Sequence, residues 1–405
     1  MSMARALPLL LVAALAAPSV APVAPARGAA PQPAVAARPS SGCGNAPPYD
    51  PRETRNSQRI DMPGGRWYLL HLPAGAPGQP GGGVVYDPDV PHPLIVNFHG
   101  MGMGPRSEQA WTGLTPLSNR EGVIVVYPAG SFDCAGSDDC WTSWNASGTA
   151  SGKSPDGSQP TCTERTEPYT ACFDSCRPLG LCNPPDGQQD PPCNVGPCID
   201  DVAWSEALLD ELESSLCIDT ARIQVTGNSI GGLMAMQVAA SLPQRIATAV
   251  PITSVPMRGW AGALVPSWAA EPTLGVSVMS IVGNFDQVMP REGGETYEGF
   301  VYDSQQDYIL NWASYHGCAR EEEVYPTPGE PGEPRHRDLR CWRSVGCAGP
   351  GAVVRCDLNI GHNGEQRPWA PDLKIAFLRQ HPRAAGPGNG GPSAAANDSS
   401  KPLAQ

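Results

Sequence analysis

Three residues in one chain order carry the chemistry of this sequence: a serine, an acid and a histidine. Ser229 lies in RIQVTGNSIGGLMAMQVAA (222–240), where Gly227, Ser229 and Gly231 spell G-x-S-x-G. In a chain with 45 glycines the string alone carries little weight. It gains meaning where a strand ends, the chain turns sharply and a helix begins, because such a turn exposes the hydroxyl. RIQVT before it reads as a strand and GGLMAMQVAA after it as a helix, and glycine at both flanks permits the turn. An unassisted serine hydroxyl is a poor nucleophile at neutral pH. It needs a histidine to take its proton and a carboxylate to orient that histidine.

In the elbow arrangement the chain order is serine, acid, histidine. His316, His336, His362 and His381 follow Ser229. His316 ends a helical stretch before Gly317, where an interaction with the helix dipole accounts for it. His336 sits in the charged run EPRHRD and His381 near the end of the last helix. His362, in NIGHNG, occupies a glycine-flanked loop just past a strand, the place a base requires. Among the acids, Asp303 and Asp307 read as helical, Glu321–Glu323 as a charge run and Asp357 as strand. Asp286, in SIVGNFDQVMP, follows a strand by a short turn and lies between the serine and His362 in sequence.

The developing oxyanion needs backbone N–H donors. One is expected from Ile230, directly after the serine. The second is expected from NFHGMGMG (97–104), at Met101 or Gly102, with His99 bracing that loop. Trp141 and Trp144, in CWTSWN, are candidates to line a sugar or aryl pocket, with packing in the interior the competing reading. Asn228 stands beside the serine. None of these motifs calls for a cofactor or a metal ion.

The elements that must hold these residues alternate. WYLLHL (67–72), LIVNF (94–98), VIVVY (123–127), RIQVT, IATAVPI (246–252), GVSVMSIVG (275–283) and AVVRCDLNI (352–360) read as strands. DDVAWSEALLDELESSL (200–216), the stretch from Ile230 to Ser241, DSQQDYILNWASYHG (303–317) and PDLKIAFLRQH (371–381) read as helices. Strand and helix in alternation predict an α/β fold with a mostly parallel, helix-covered sheet. One segment, Ser131 to Cys198, breaks the pattern with Gly, Pro, Asp and eight cysteines. It reads as a disulfide-held cap or rim, or as inert decoration.

The chain has 405 residues, 40% of them hydrophobic, enough for one large domain with insertions. A net charge of −13 argues against nucleic acid or an anionic membrane as partner. Residues 1–42 read as a secretory signal, with an apolar run from Ala6 to Ala17, followed by an Ala/Pro-rich spacer. A lipid anchor on Cys43 fits poorly, since it lies far beyond that run. Export with fourteen cysteines predicts up to seven disulfides. Zinc is the alternative where Cys172, Cys176, Cys182, Cys193 and Cys198 crowd, but no C-x-x-C pair occurs and no histidine lies between Cys134 and Cys217. Residues 43–382 form the expected catalytic domain, with the 131–198 insertion, and 383–405 a disordered tail.

The chain resembles the secreted feruloyl and acetylxylan esterases of carbohydrate esterase family one and the related polyhydroxybutyrate depolymerase-like esterases. The resemblance rests on GCGNAPP, PLIVNFHGMG, VIVVYPAG, IDDVAWSEALLDELESSLCIDTARIQVTGNSIGG, NWASYHGC and NIGHNG, and runs from about Cys43 to His381. It implies an α/β-hydrolase fold, a serine esterase acting through an acyl-enzyme, and Ser229, Asp286 and His362 as nucleophile, acid and base. It also implies an extracellular protein whose partner is an ester of cell-wall polysaccharide. A disulfide between Cys318 and Cys356 follows from the same likeness. Departures from the family pattern are Asn228, often a larger residue, the absence of a proline soon after His362, and the long insertion. The other readings are a polyester depolymerase and a non-catalytic, disulfide-rich binding protein on the same fold.

Overall fold

The computed structural model describes residues 35–54, 56–75, 78, 82–133, 141–165, 173–179, 193–266, 275–326, 338–362 and 367–383. The expected signal, the tail beyond residue 383 and His336 lie outside them. A ten-stranded sheet is the framework. In chain order its first half comprises β1 (Gln58–Asp61), β2 (Trp67–His71), β3 (His92–Phe98), helices α1 (Pro105–Thr112) and α2 (Leu114–Glu121), and β4 (Ile124–Pro128). A small hairpin follows, β5 (Ser131–Asp133) with β6 (Trp141–Ser143). Then come α3 (Asp201–Ser215), β7 (Ile218–Asn228), α4 (Ile230–Ser241), β8 (Thr248–Ile252) and β9 (Ser277–Gly283). The chain continues through a short pair, β10 (Gly294–Glu295) with β11 (Val301–Tyr302), then α5 (Gln305–Tyr315), β12 (Glu322–Tyr325), β13 (Leu339–Ser344), β14 (Val353–Leu358) and α6 (Ala370–Gln380).

Across the sheet the order is β1-β2-β4-β3-β7-β8-β9-β14-β13-β12. The run from β4 to β14 is parallel, and each edge carries two antiparallel strands. β3 leads to β4 on one side while β7 pairs with its other side, so the strand order reverses there. Ligand sites in open α/β sheets form at the carboxyl ends of strands at such a reversal. This is the α/β-hydrolase fold.

Side chains alternate between the faces of each strand. Leu94, Val96, Phe98 and Val225 pack with Leu208 and Leu212 of α3, Leu233 and Met234 of α4, and Trp312 of α5. Ile95 and Val125 face the other way, against Leu117 of α2 and Ile375 and Leu378 of α6. Fully burying one such side chain contributes about 1.5–3 kcal/mol, so the two faces hold the sheet between helices. Asp200 caps α3, its carboxylate accepting from the Ala203 N–H at 2.9 Å, as the acidic start of that helix predicts.

Several elements depart from the sequence reading. Residues 35–42 are not a spacer throughout: Arg38 N–H donates to Asp219 at 2.9 Å and Ser40 N–H to Ile218 at 2.9 Å, and Cys43 is bonded to Cys217. That bond leaves Cys43 no thiol for a lipid. The glutamate run contributes Glu322 and Glu323 to edge strand β12, where Arg343, directly opposite on β13, pairs with Glu323 and Arg355, one strand further on β14, reaches Glu322. Asp303 precedes α5 and accepts from the Gly259 and Ala261 N–H groups. α1 and α2 escaped notice because Pro105, Gly104 and Gly113 read as turn residues, yet Pro105 is the helix's first residue.

The cysteines also pair differently. Cys318 is bonded to Cys347 and Cys341 to Cys356, which corrects the Cys318–Cys356 pairing. The cause is register: Cys341 and Cys356 lie directly opposite on the antiparallel pair β13–β14. Cys162–Cys193 and Cys176–Cys198 staple the insertion; Cys134, Cys140, Cys172 and Cys182 lie outside the described residues. Among those described, no helix is long and apolar enough to cross a membrane.

Four histidines with lowered pKa values make stability pH-dependent. Burial pushes the pKa of His99 and of His381 down to about 4, and lowers those of His71 and His316. Below about pH 6.5 the unfolded chain takes up protons that the folded one refuses, so stability is full above that pH and is lost as pH falls toward 4. Each such histidine contributes a slope of up to about 1.4 kcal/mol per pH unit in that window. The urea midpoint is therefore expected to hold from pH 7.5 to about 6.5 and to fall steadily from there to pH 5, above the range of ordinary carboxylates. An unchanged midpoint would contradict neutral, buried imidazoles.

Candidate active site

Strand β7 delivers Ser229 at its carboxyl end, directly before α4. The residue has φ 57° and ψ −126°, the left-handed region that a non-glycine residue occupies only under constraint. The constraint is visible. Ser229 N–H donates to Ile252 at 3.1 Å, and its carbonyl accepts from Gly232 N–H at 2.9 Å and from the Ser254 hydroxyl. A Cβ on Gly231 would lie 2.1 Å from the Phe98 carbonyl oxygen, and one on Gly227 2.5 Å from the Gly231 backbone. The flanking glycines let the start of α4 press against the end of β3.

The histidine and the acid arrive on neighbouring parallel strands, β14 and β9, whose carboxyl ends lie side by side. Asn284 N–H donates to Leu358 at 2.8 Å and Phe285 N–H to Ile360 at 3.0 Å, which joins the two loops. His362 Nε2 stands 2.9 Å from Ser229 Oγ, and its Nδ1 stands 2.8 Å from Asp286 Oδ2. The Asp286 side chain is fully buried, and its Oδ1 accepts from the N–H groups of Val288 and Met289, both at 2.9 Å. A carboxylate only accepts, so Nδ1 carries the imidazole proton and Nε2 is free to receive that of Ser229. The three predicted residues thus form one hydrogen-bonded line.

Of the candidate oxyanion donors, Ile230 N–H opens α4 and so has no intrahelical acceptor. Gly100 packs against the serine, a Cβ there lying 3.6 Å from Ser229 Cβ. Gly102 is not available: its N–H donates to the Thr142 carbonyl at 2.8 Å. Met101 N–H has no acceptor among the described residues. His99 braces this loop as expected. Its Nε2 accepts from Gly130 N–H at 2.8 Å, so the proton is on Nδ1, which donates to the Gly100 carbonyl at 2.8 Å.

Trp144 corrects the sequence reading. It is fully buried, with its indole N–H on the His99 carbonyl at 2.9 Å, and does not line a substrate pocket. Trp141 pairs with Asp133 in the hairpin; its side chain lies outside the described part. Asn228 ends β7, partly exposed, with its Oδ1 accepting from the Thr253 hydroxyl at 2.5 Å. The rejected candidates have other partners: His316 Nε2 bonds to the Val276 carbonyl, and Asp357 pairs with Arg291 and Arg355. Cys176, Cys193 and Cys198 are in disulfides and so unable to act as zinc thiolates. Sequence reasoning missed Thr142, Thr253 and Ser254. All three act across sequence gaps, Thr142 from the short strand β6 and Thr253 and Ser254 from the loop after β8, so no local signal marks them.

No family model matches the chain. It is 28% identical over 190 residues to feruloyl esterase B of Piromyces equi, covering 44% of this chain and 33% of that protein. It is 21% identical over 209 residues to a bifunctional acetylxylan esterase/xylanase of Neocallimastix patriciarum, covering 52% of this chain and 21% of that one. The chain thus spans a third or less of the length of these two relatives. Among solved structures, an acetyl xylan esterase from Aspergillus awamori is similar at TM-score 0.41 and 14% identity, over 80% of this chain and 99% of that one.

Proposed function

We propose that this chain is a secreted serine esterase that hydrolyses feruloyl or acetyl esters of plant cell-wall polysaccharide through an acyl-enzyme. The observation that carries the reading is the line Ser229–His362–Asp286 on a constrained elbow, with distances of 2.9 and 2.8 Å. The names of the feruloyl and acetylxylan esterase relatives support the substrate class, and the five disulfides among the described residues support an oxidising compartment. The catalytic domain is residues 43–382, extended by the 35–42 segment that packs on β7.

In this reading His362 Nε2 takes the Ser229 proton as Oγ attacks the ester carbonyl. The negative oxygen of the tetrahedral intermediate sits between the N–H groups of Ile230 and Met101. Collapse breaks the C–O bond, and the alcohol leaves with the proton from His362. Water then gives a proton to His362, attacks the acyl carbon and releases the acid, restoring Ser229. Asp286 keeps the imidazole oriented and stabilises its cationic form. Asn228, beside the serine, has its amide oxygen taken by Thr253 and keeps its NH₂ as a donor for substrate.

A substrate panel tests this. The kcat/KM for methyl ferulate or acetylated xylo-oligosaccharide is expected to exceed that for hydroxybutyrate oligomers at least about tenfold, a discrimination of about 1.4 kcal/mol. The reverse order assigns a polyester depolymerase. No turnover of any ester, with no fluorophosphonate labelling of Ser229, assigns a binding protein.

A further inference from the structure

Residues 142–149 of the insertion run into the interior beneath the oxyanion loop. Trp144 is fully exposed to protein and not at all to solvent. Its ring meets Phe98 edge-on at 5.1 Å and His99 at 4.9 Å. Its indole N–H donates to the His99 carbonyl. Next to it, the Thr142 carbonyl accepts from Gly102 N–H at 2.8 Å and the Thr142 hydroxyl donates to the Met103 carbonyl.

These contacts have a directional effect. A peptide unit is planar and trans, so fixing its carbonyl also fixes the N–H on its opposite side. Trp144 holds the 99–100 unit before it, His99 Nδ1 holds the 100–101 unit itself, and Thr142 holds the 101–102 and 103–104 units after it. The 100–101 unit is the one that ends in Met101 N–H. Its aim is thus set by side chains that never touch the serine.

Trp144 is itself anchored from three directions. Ser143 Oγ donates to the Val195 carbonyl at 2.5 Å, and Thr149 Oγ1 to the Trp144 carbonyl at 2.7 Å. Asn145 N–H donates to Asp201 Oδ2 at 2.7 Å, while Asp201 Oδ1 pairs with Arg66 at 2.5 Å. Arg66 lies over the Trp204 ring at 3.8 Å and near the Trp144 ring at 5.5 Å. Its other amino group donates to the Ala129 carbonyl, next to the Gly130 that holds His99.

We propose that Trp144 is a positioning residue of the oxyanion hole: its indole N–H on the His99 carbonyl fixes the backbone run that presents Met101 N–H to the reacting carbonyl. The proposal rests on the serine-hydrolase reading of Ser229. It makes the root of the cysteine-rich insertion part of the catalytic geometry, acting through the loop after β3.

The test is Trp144→Phe in the full chain, which keeps an aromatic ring and removes the donor. A whole oxyanion donor contributes about 10²–10³ in kcat, so its misalignment is expected to lower kcat for p-nitrophenyl acetate by about 10–100-fold. KM should stay within about twofold of the wild-type value, and affinity for a trifluoromethyl ketone that forms a charged tetrahedral adduct should fall by the same factor as kcat/KM. A general loss of folding would not produce that split. Wild-type kcat and inhibitor affinity in the variant would overturn the proposal. If Trp144→Phe does not fold, replacing Trp144 by benzothienylalanine decides in its place: it keeps the bicyclic shape and removes only the donor to the His99 carbonyl, and an unchanged kcat there overturns the proposal equally. Wild-type protein that fails to react with a fluorophosphonate sinks the hydrolase reading instead, so the two failures are told apart.

Discussion

Replacing Ser229 by alanine is expected to lower kcat for short p-nitrophenyl esters by about 10⁵–10⁶-fold, to the level left by binding and the oxyanion donors alone. The substitution removes only Oγ. Ser229 N–H and its carbonyl, which bond to Ile252, Gly232 and Ser254, are backbone groups and stay in place. Circular dichroism and the thermal midpoint should therefore change little, and fluorophosphonate labelling should vanish. Turnover within tenfold of wild type in a pure variant would place the nucleophile elsewhere.

Asp286→Asn is expected to have the second largest effect, about 10⁴-fold in kcat near neutral pH. Both oxygens of Asp286 accept: Oδ2 from His362 Nδ1, and Oδ1 from the Val288 and Met289 N–H groups. An amide has one oxygen and one NH₂. If its oxygen serves the two backbone donors, the NH₂ faces Nδ1 and drives the imidazole proton onto Nε2, where it blocks transfer from Ser229. In the other orientation the NH₂ confronts two N–H groups in a site closed to water, and the loop joined to Ile360 is pushed out of place. Asn is no isostere here. Steady-state kinetics with a folding control checks this. A loss under tenfold would mean that something other than Asp286 orients His362.

The parts that a sequence reveals are those set by local pattern. The strand–turn–helix around Ser229 was legible because Gly227 and Gly231 are required by the close approach of α4 to Phe98. Asp286 and His362 were legible because each stands just past the end of a parallel strand. The parts that escaped depend on contacts between distant segments. Trp144 has the composition of a pocket tryptophan, and only its burial beneath His99 reveals its use. Gly102 looked equivalent to Met101 until Thr142, 40 residues later, took its N–H. β12 was hidden because an exposed edge strand whose glutamates pair with arginines of the next two strands lacks the alternation of a half-buried one.

The described disulfides have a property that concerns the order in which the chain is made. Cys162 bonds to Cys193 and Cys176 to Cys198, so the second bridge starts inside the first and ends outside it. Cys318–Cys347 and Cys341–Cys356 interleave in the same way. A chain that oxidised its thiols in the order they emerged would join Cys172 to Cys176 and Cys318 to Cys341, and neither is a native bond. Cys43 must wait for Cys217, separated from it by 174 positions. Correct pairing therefore has to follow strand pairing and loop docking, or be reached by exchange through mixed disulfides. A host that only oxidises will yield scrambled protein; one that also reshuffles bridges will yield the fold in which the base of the insertion lies under the oxyanion loop.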